Sequence, residues 1–226
     1  MYCLWFTIWR EVSSFRLRFK EVSVLFEQEP EELLRMLNGT VEAMASLCEK
    51  IDPYTAGHQR RVARLACAIA KKMGLSDEQV YGLRVIGVVH DIGKMALPDE
   101  ILSKPGVLNA EEFSIVKTHP QVAYDVLKNL EFPWPVAQTI LQHHERVDGS
   151  GYPNKLAGED IILEARILCV ADVVESMVSH RPYRPAPGLE KALEEIELNS
   201  GVLYDPVVAD ACSKLSSNGG IKLDWE

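Results

Sequence analysis

Five of the six histidines in this chain, His58, His90, His119, His143 and His144, occur where otherwise apolar runs end, and Asp91 and Asp172 share such settings. The stretch VVHDIGK, residues 88–94, is the sharpest case, because it places His90, Asp91 and Lys94 at the close of a hydrophobic segment. An ionised carboxylate leaves water only when it is paired or bound to a metal. A single histidine on an apolar face is commonly a hydrogen-bonded core residue. So many together call for a shared cause, and a metal centre supplies it. Imidazole and carboxylate donors without thiolate suit iron, manganese or zinc in five- or six-coordinate geometry. Two octahedral ions offer roughly twelve positions, of which five imidazoles, a bridging Asp91 and a terminal Asp172 fill about eight. The rest are left for a bridging hydroxide, water and substrate oxygens. Two divalent ions less two carboxylates and one hydroxide leave a charge of roughly +1, which favours a phosphodiester anion and a nucleophilic water near neutral pH.

The elements that position these residues read as all-α, with helical rather than alternating periodicity along nearly the whole chain. Pro30 can open a helix with the stripe Leu33, Leu37, Val41, Met44, Cys48 and Ile51. The next carries Val62, Leu65, Ile69 and Met73, ends at Gly74, and has His58 four residues before Val62, on the same stripe. Ser76 with Gln79 and Asn109 with Glu112 are capping-box patterns. The first starts the helix that ends in VVHDIGK. The second starts one expected to finish at Thr118–His119, with a short helix restarting at Pro120 on the stripe Val122, Val126 and Leu130. A helix through Val136, Ile140 and Leu141 ends at QHHE, so that His143 or His144 continues its stripe. RVDGSGYPNKLAGED is Gly- and Pro-rich loop, ILEARILCVADVVESMV is an apolar helix with Asp172 at its middle, and Asp205–Pro206 starts a last helix to about Ser216.

At 226 residues and 47% hydrophobic, the chain can bury one globular core with a short appendage. Its net charge of −9 argues against broad binding to nucleic acid polymers or anionic membranes. Cys3, Cys48, Cys67, Cys169 and Cys212 are odd in number and lack a CxxC, as in a reduced, cytoplasmic chain where each is a small buried residue. The opening MYCLWFTIWREVSSFRLRF breaks at Arg10, far short of the ~20 apolar residues of a membrane span. It reads as a docking or coupling helix.

HDIGK, HHERVDGSGYP and VADVVESMVSHRPYR, together with DPYTAGHQRRV and LPDEILSKPG, resemble in this order the HD-GYP family of metal-dependent phosphodiesterases, over about residues 40–210. The resemblance implies an all-helical HD domain with a GYP extension, cleaving cyclic di-GMP to the linear dinucleotide pGpG and on to GMP. It implies two divalent metals, iron or manganese, one held by His58, His90, Asp91 and Asp172, the other by Asp91, His119, His143 and His144. Asp91 is then the bridge. Lys94, three residues on, returns to the same face, and the family gives it a phosphate oxygen to contact. Gly149, Gly151, Tyr152 and Pro153 resemble the GYP loop, with Gly151 and Tyr152 at the substrate. Arg181 and Arg184 of RPYR are the expected phosphate contacts. Arg146 and Asp148 are expected to brace the loop, and His180 to be exposed. Some family members carry a glutamate where this chain has Tyr54, and bind a third metal with it; two metals are therefore expected here.

Three readings follow. The first is hydrolysis of cyclic di-GMP by in-line attack of a metal-bridging hydroxide, with Lys94, Arg181 and Arg184 stabilising the developing charge. The second keeps the chemistry with another cyclic dinucleotide, such as cyclic GMP-AMP. The third is a slow cyclic di-GMP-binding module that signals through protein partners. The expected organisation is a coupling segment over 1–29, a catalytic domain over 30–216 and a tail over 217–226. The N-terminal helices are the expected place for homodimerisation or an upstream sensor.

Overall fold

The structure, a computed structural model, describes residues 30–51, 57–179 and 186–217. The expected N-terminal coupling segment, Cys3, Tyr54, His180, Arg181, Arg184 and nearly all of the tail lie outside these residues. The chain divides into two compact units, Met1–Thr40 and Val41–Glu226. The described part of the first is the opening half of helix α1 (Pro30–Ile51), where Leu34 and Met36 are exposed.

In the second unit every described element is helix, turn or loop; the described residues contain no strand, only two isolated bridges. α1 continues here with Val41, Ala45 and Cys48 buried, so the inward stripe runs through Ala45 rather than Met44, which is half-buried. α2 (His58–Lys72) buries Val62, Leu65 and Ile69 as its periodicity dictates, and residues 73–76 lead to α3 (Asp77–Val89). The Ser76–Gln79 capping box forms, each residue satisfying the other's free amide at the helix start. A 3-10 turn (Ile92–Ala96) and a single-turn helix α4 (Asp99–Leu102) follow.

α5 (Ala110–Val116) opens on its own capping box, with the Glu112 amide donating to Asn109 Oδ1 at 2.8 Å and the Asn109 amide to Glu112 Oε2 at 2.8 Å. It stops at Val116, and His119 already belongs to the next helix, α6 (His119–Leu127). The expected break and restart are present, with the new helix starting one residue before Pro120. Pro120 occupies the first turn of α6, where its missing N–H has no helical partner to lose. The stripe expected through Val122, Val126 and Leu130 is corrected, since Val126 and Leu130 are exposed and the buried face is His119, Ala123 and Leu127. Both sets are spaced by four, so periodicity alone did not separate them. The buried set is the one that carries the histidine inward.

α7 (Val136–Gln142) ends at the histidine pair, α8 (Leu163–Val178) carries Asp172, and α9 (Leu189–Leu198) is a helix the sequence reading passed over. α10 (Pro206–Ser217) starts as expected, with Asp205 Oδ1 accepting the amides of Val207 at 2.8 Å and Val208 at 3.1 Å. α2 packs on α3, α8 and α10, and α8 also packs on α7, α9 and α10. Ile69, Leu83, Ile86, Ile140, Ile167 and Leu168 are fully buried between them, each such side chain stabilising the fold by about 1.5–3 kcal/mol. α6 packs against α7 and the 3-10 turn, which brings the remaining histidines to the same core. Among the described cysteines Cys48, Cys169 and Cys212 are buried, Cys67 is half-buried, and none is paired.

Candidate metal centre

The histidines stand at helix ends. His58 is the first residue of α2, His90 caps the C-terminus of α3, His119 is the first residue of α6, and His143 caps α7 with His144 next in line. Asp91 sits between α3 and the 3-10 turn, and Asp172 comes from the middle of α8.

Three of the rings are fixed by one device. His90 Nδ1 donates to the carbonyl of Gly87 at 2.8 Å, His119 Nδ1 to that of Val116 at 2.7 Å, and His143 Nδ1 to that of Ile140 at 2.6 Å, each three residues back. A carbonyl only accepts, so Nδ1 carries a proton and Nε2 is the nitrogen each ring turns inward, where it could donate to a metal. All three Nε2 atoms are buried with no hydrogen-bond partner. A buried polar atom left unmatched costs about 1–3 kcal/mol, and three such atoms converging fit a cation. Burial, above all, lowers the pKa of His119 to about 4 and that of His143 to about 3, and burial and then His143 lower that of His144. These rings are neutral at pH 7, as metal ligands must be.

His58 is held differently. Its Nδ1 bonds Glu175 Oε2 on α8, and its Nε2 lies 3.2 Å from Asp172 Oδ1 and 3.6 Å from Asp91 Oδ2. Burial opposes the charged ring, but Asp172 and Glu175 outweigh it and raise its pKa to about 9. Glu175 is itself fully buried and also accepts from Arg61 Nε at 2.6 Å and Ser179 Oγ at 2.6 Å.

Asp91 divides its two oxygens. Oδ2 lies 3.3 Å from His90 Nε2, while Oδ1 lies 3.5 Å from His119 Nε2. Lys94 Nζ donates to Oδ2 at 2.7 Å. Burial would raise the Asp91 pKa; His90 and Lys94 more than offset this and hold it well below the usual carboxylate range. Three sets of ligand atoms, each within 4.8 Å of one another, emerge: His58, His90 and Asp172; His119, His143 and His144; and His90, Asp91 and His143. The third links the other two. All seven expected ligands thus come together, and their donor types and orphaned lone pairs fit metal ions.

Close backbone contacts make this possible. A Cβ on Gly93 would stand 2.0 Å from the His119 carbonyl oxygen, so only glycine lets the turn after Asp91 meet the start of α6. Gly151 does the same for the GYP loop, where a Cβ would stand 2.4 Å from Glu145 Cα. The loop is further tied by Glu145, buried, whose carboxylate accepts the amides of Asn154 at 2.7 Å and Leu156 at 3.1 Å. Tyr152, in a cis peptide with Pro153, stacks its ring on His144 at 4.8 Å between centroids. Asp148 Oδ1 accepts the Ser150 amide at 2.9 Å within the loop, and Arg146 donates to Cys169 Sγ at 2.8 Å and lies over the Tyr204 ring.

Glu175 and Glu145 were not singled out from the sequence. Glu175 follows Asp172 by three residues in VADVVES, and that carboxylate spacing on an apolar helix was its signal. A groove of about 740 Å³ between α2 and α3, lined by Arg64, Lys71 and Tyr81 among others, includes none of the candidate ligands in its wall.

Residues 42–208 match the HD domain family. The chain is 40% identical over 174 residues to a cyclic di-GMP phosphodiesterase response regulator, RpfG, of Xanthomonas campestris, covering 76% of this chain and 46% of that protein. It is 39% identical over 209 residues to a cyclic di-GMP phosphodiesterase of Thermotoga maritima, covering 90% and 57%. The chain therefore spans about half the length of these curated relatives. A solved cyclic GMP-AMP specific phosphodiesterase of Vibrio cholerae superposes with a TM-score of 0.53 at 31% identity, covering 80% of this chain and 41% of that one. Among the described residues no helix is long and apolar enough to cross a membrane. With its helical fold, its HDIGK and HHERVDGSGYP motifs and a match over most of its length, the chain belongs to the HD domain family, in the HD-GYP branch.

Proposed function

We propose that this chain is a metal-dependent phosphodiesterase that hydrolyses cyclic di-GMP to linear pGpG, GMP or both. The observation that carries the reading is the Asp91 carboxylate, set between His90 and His119, whose buried Nε2 atoms have no hydrogen-bond partner. When bound there, two divalent ions, iron or manganese, supply a Lewis acid and a water of lowered pKa. His58, His90, Asp91 and Asp172 would hold one ion, and Asp91, His119, His143 and His144 the other.

The chain's own residues do the rest. Glu175 orients His58, and the carbonyls of Gly87, Val116 and Ile140 orient three more rings. Hydrolysis joins a water oxygen to phosphorus and releases the ribose 3′ oxygen, which takes a proton. Lys94, partly exposed and already donating to Asp91, is proposed to meet a phosphate oxygen as charge develops there. Arg181 and Arg184 are proposed as further phosphate contacts, and Tyr152 as a substrate contact against His144. The segment before Pro30 is proposed to couple the domain to a sensor or a second copy, and the four described cysteines, all free thiols, support a proposed cytoplasmic setting.

The test is turnover of cyclic di-GMP by anaerobically purified protein loaded with ferrous iron or manganese, with metal counted on the same sample. About two metals per chain with turnover is the expected result. Full occupancy with tight binding and no turnover would favour a binding module instead. The similarity to the Vibrio cholerae enzyme favours cyclic GMP-AMP as the second candidate substrate, and competition between the two dinucleotides decides it.

A further inference from the structure

We infer that Phe113, on α5, and Lys117, which caps the end of that helix, form a docking edge that receives a base of the dinucleotide substrate beside Tyr152. This rests on the proposed phosphodiesterase reading and adds to it a pair of specificity-determining residues outside the motifs. Neither was expected from the sequence.

The edge is continuous with the metal centre. The Tyr152 ring lies 4.8 Å from His144 at an interplanar angle of 29°, and the Phe113 ring lies 6.3 Å from Tyr152 at 80°. Lys117 Nζ stands 4.8 Å from the Phe113 centroid and 5.5 Å from that of Tyr152. Lys117 caps α5 with its amide donating to the Phe113 carbonyl at 3.0 Å, one turn back, so the two residues lie on the same side of the helix end. Phe113 is 43% exposed, and Lys117 is exposed too. A lone exposed phenylalanine needs no explanation. One that continues a ring stack from a candidate ligand, under a lysine, is a different matter.

The edge is also held in place. Glu112, which closes the α5 capping box, is gripped by Lys104 Nζ at 2.7 and 2.6 Å on its two oxygens. At the other end only Thr118 separates Lys117 from His119. A movement of the edge would drag the His119 ring, and the centre in turn fixes the edge.

Its chemistry suits a purine. Unpaired bases are recognised by stacking on aromatic side chains, and guanine presents O6 and N7 as acceptors for a lysine ammonium. In a chain of net charge −9, a cation this near the site is a local feature rather than part of a general field. A base-free phosphodiester would reach the metals without touching this edge.

The experiment compares Phe113→Ala, Phe113→Trp and Lys117→Gln with the parent, using cyclic di-GMP, cyclic GMP-AMP and, as the base-free ester, the cyclic ribose phosphate that lacks both bases, on metal-loaded protein. Binding of each dinucleotide to metal-free protein is measured alongside. Phe113→Ala should raise KM and Kd for the dinucleotide roughly tenfold or more, as expected for loss of base stacking. Phe113→Trp should restore them, and kcat/KM for the base-free ester should stay within about twofold, since no stacking contact is lost. Unchanged dinucleotide constants, or equal losses on all substrates, would overturn the docking edge while leaving the functional reading intact. A parent protein that neither binds nor cleaves either dinucleotide would overturn the functional reading, and the edge with it.

Discussion

Glu175 grips His58 across 117 positions of sequence, joining the first residue of α2 to the fourth turn of the helix that supplies Asp172. A carboxylate on the far nitrogen of a ligand histidine fixes its ring and strengthens its donor atom. Glu175→Gln keeps the volume and removes the charge. It should weaken metal binding by roughly 10–100-fold, read by competition with a chelator. Unaltered affinity would mean that His58 needs no such partner.

The metal-free protein should be most stable near pH 6.5, the ordinary histidine pKa. His58, raised to about 9, contributes stability that is fully present below pH 6.5 and is lost as pH rises through 9. His119 and His143, lowered to about 4 and 3, work the other way, because the unfolded chain takes up their protons first as pH falls below 6.5. Melting temperatures from pH 4 to 9.5 should trace a rounded maximum. A steady climb from pH 6.5 to 9 would contradict the assignment of His58. Metal loading at pH 7 should also release about one proton from His58, measured by calorimetry in buffers of different ionisation enthalpy.

Asp91→Ala removes the carboxylate whose two oxygens face His90 and His119. Metal content should fall from about two ions per chain to near none. Hydrolysis should vanish with it, while the far-UV circular dichroism stays that of a folded helical protein. Retained metal and turnover would refute the bridging role.

Gly151→Ala should damage the GYP loop without touching a ligand. Its Cβ would fall 2.4 Å from Glu145 Cα and 2.5 Å from the Arg146 nitrogen, both main-chain atoms that cannot swing aside. A stability loss of about 1–3 kcal/mol is expected from such overpacking. KM should rise as Tyr152, whose amide donates to the His144 carbonyl at 3.2 Å, is displaced. Gly39→Ala, in α1 with nothing within 4 Å, is the control, and should stabilise the protein by about 0.5–1 kcal/mol.

Local signals in the sequence were read well where one short stretch sufficed. The two capping boxes, the Asp205 cap and the helical class all rest on spacing within a few residues. The seven candidate ligands were legible for a related reason, since charged and imidazole groups stand out against apolar runs. What failed needed tertiary information. The α6 stripe was set on Val122 and Val126, although Ala123 and Leu127 face inward with His119, and a small alanine gives a weak pattern. Glu175 and Glu145 looked like ordinary helix and loop carboxylates until partners from distant segments were seen, and so did the pairing of Phe113 with Tyr152.

The placement of the histidines at helix ends fixes where the centre's field comes from. α3 and α7 point their C-terminal, partly negative ends at it, while α2 and α6 point their N-terminal, partly positive ends. Each end carries about half an elementary charge, so the two kinds oppose and largely cancel. The scaffold is electrostatically near silent at this point. In the proposed enzyme the charge that a phosphate would meet is then set by whole groups, the metals and Lys94 against Asp91 and Asp172, and a change of one carboxylate would alter the pull on substrate by a full unit.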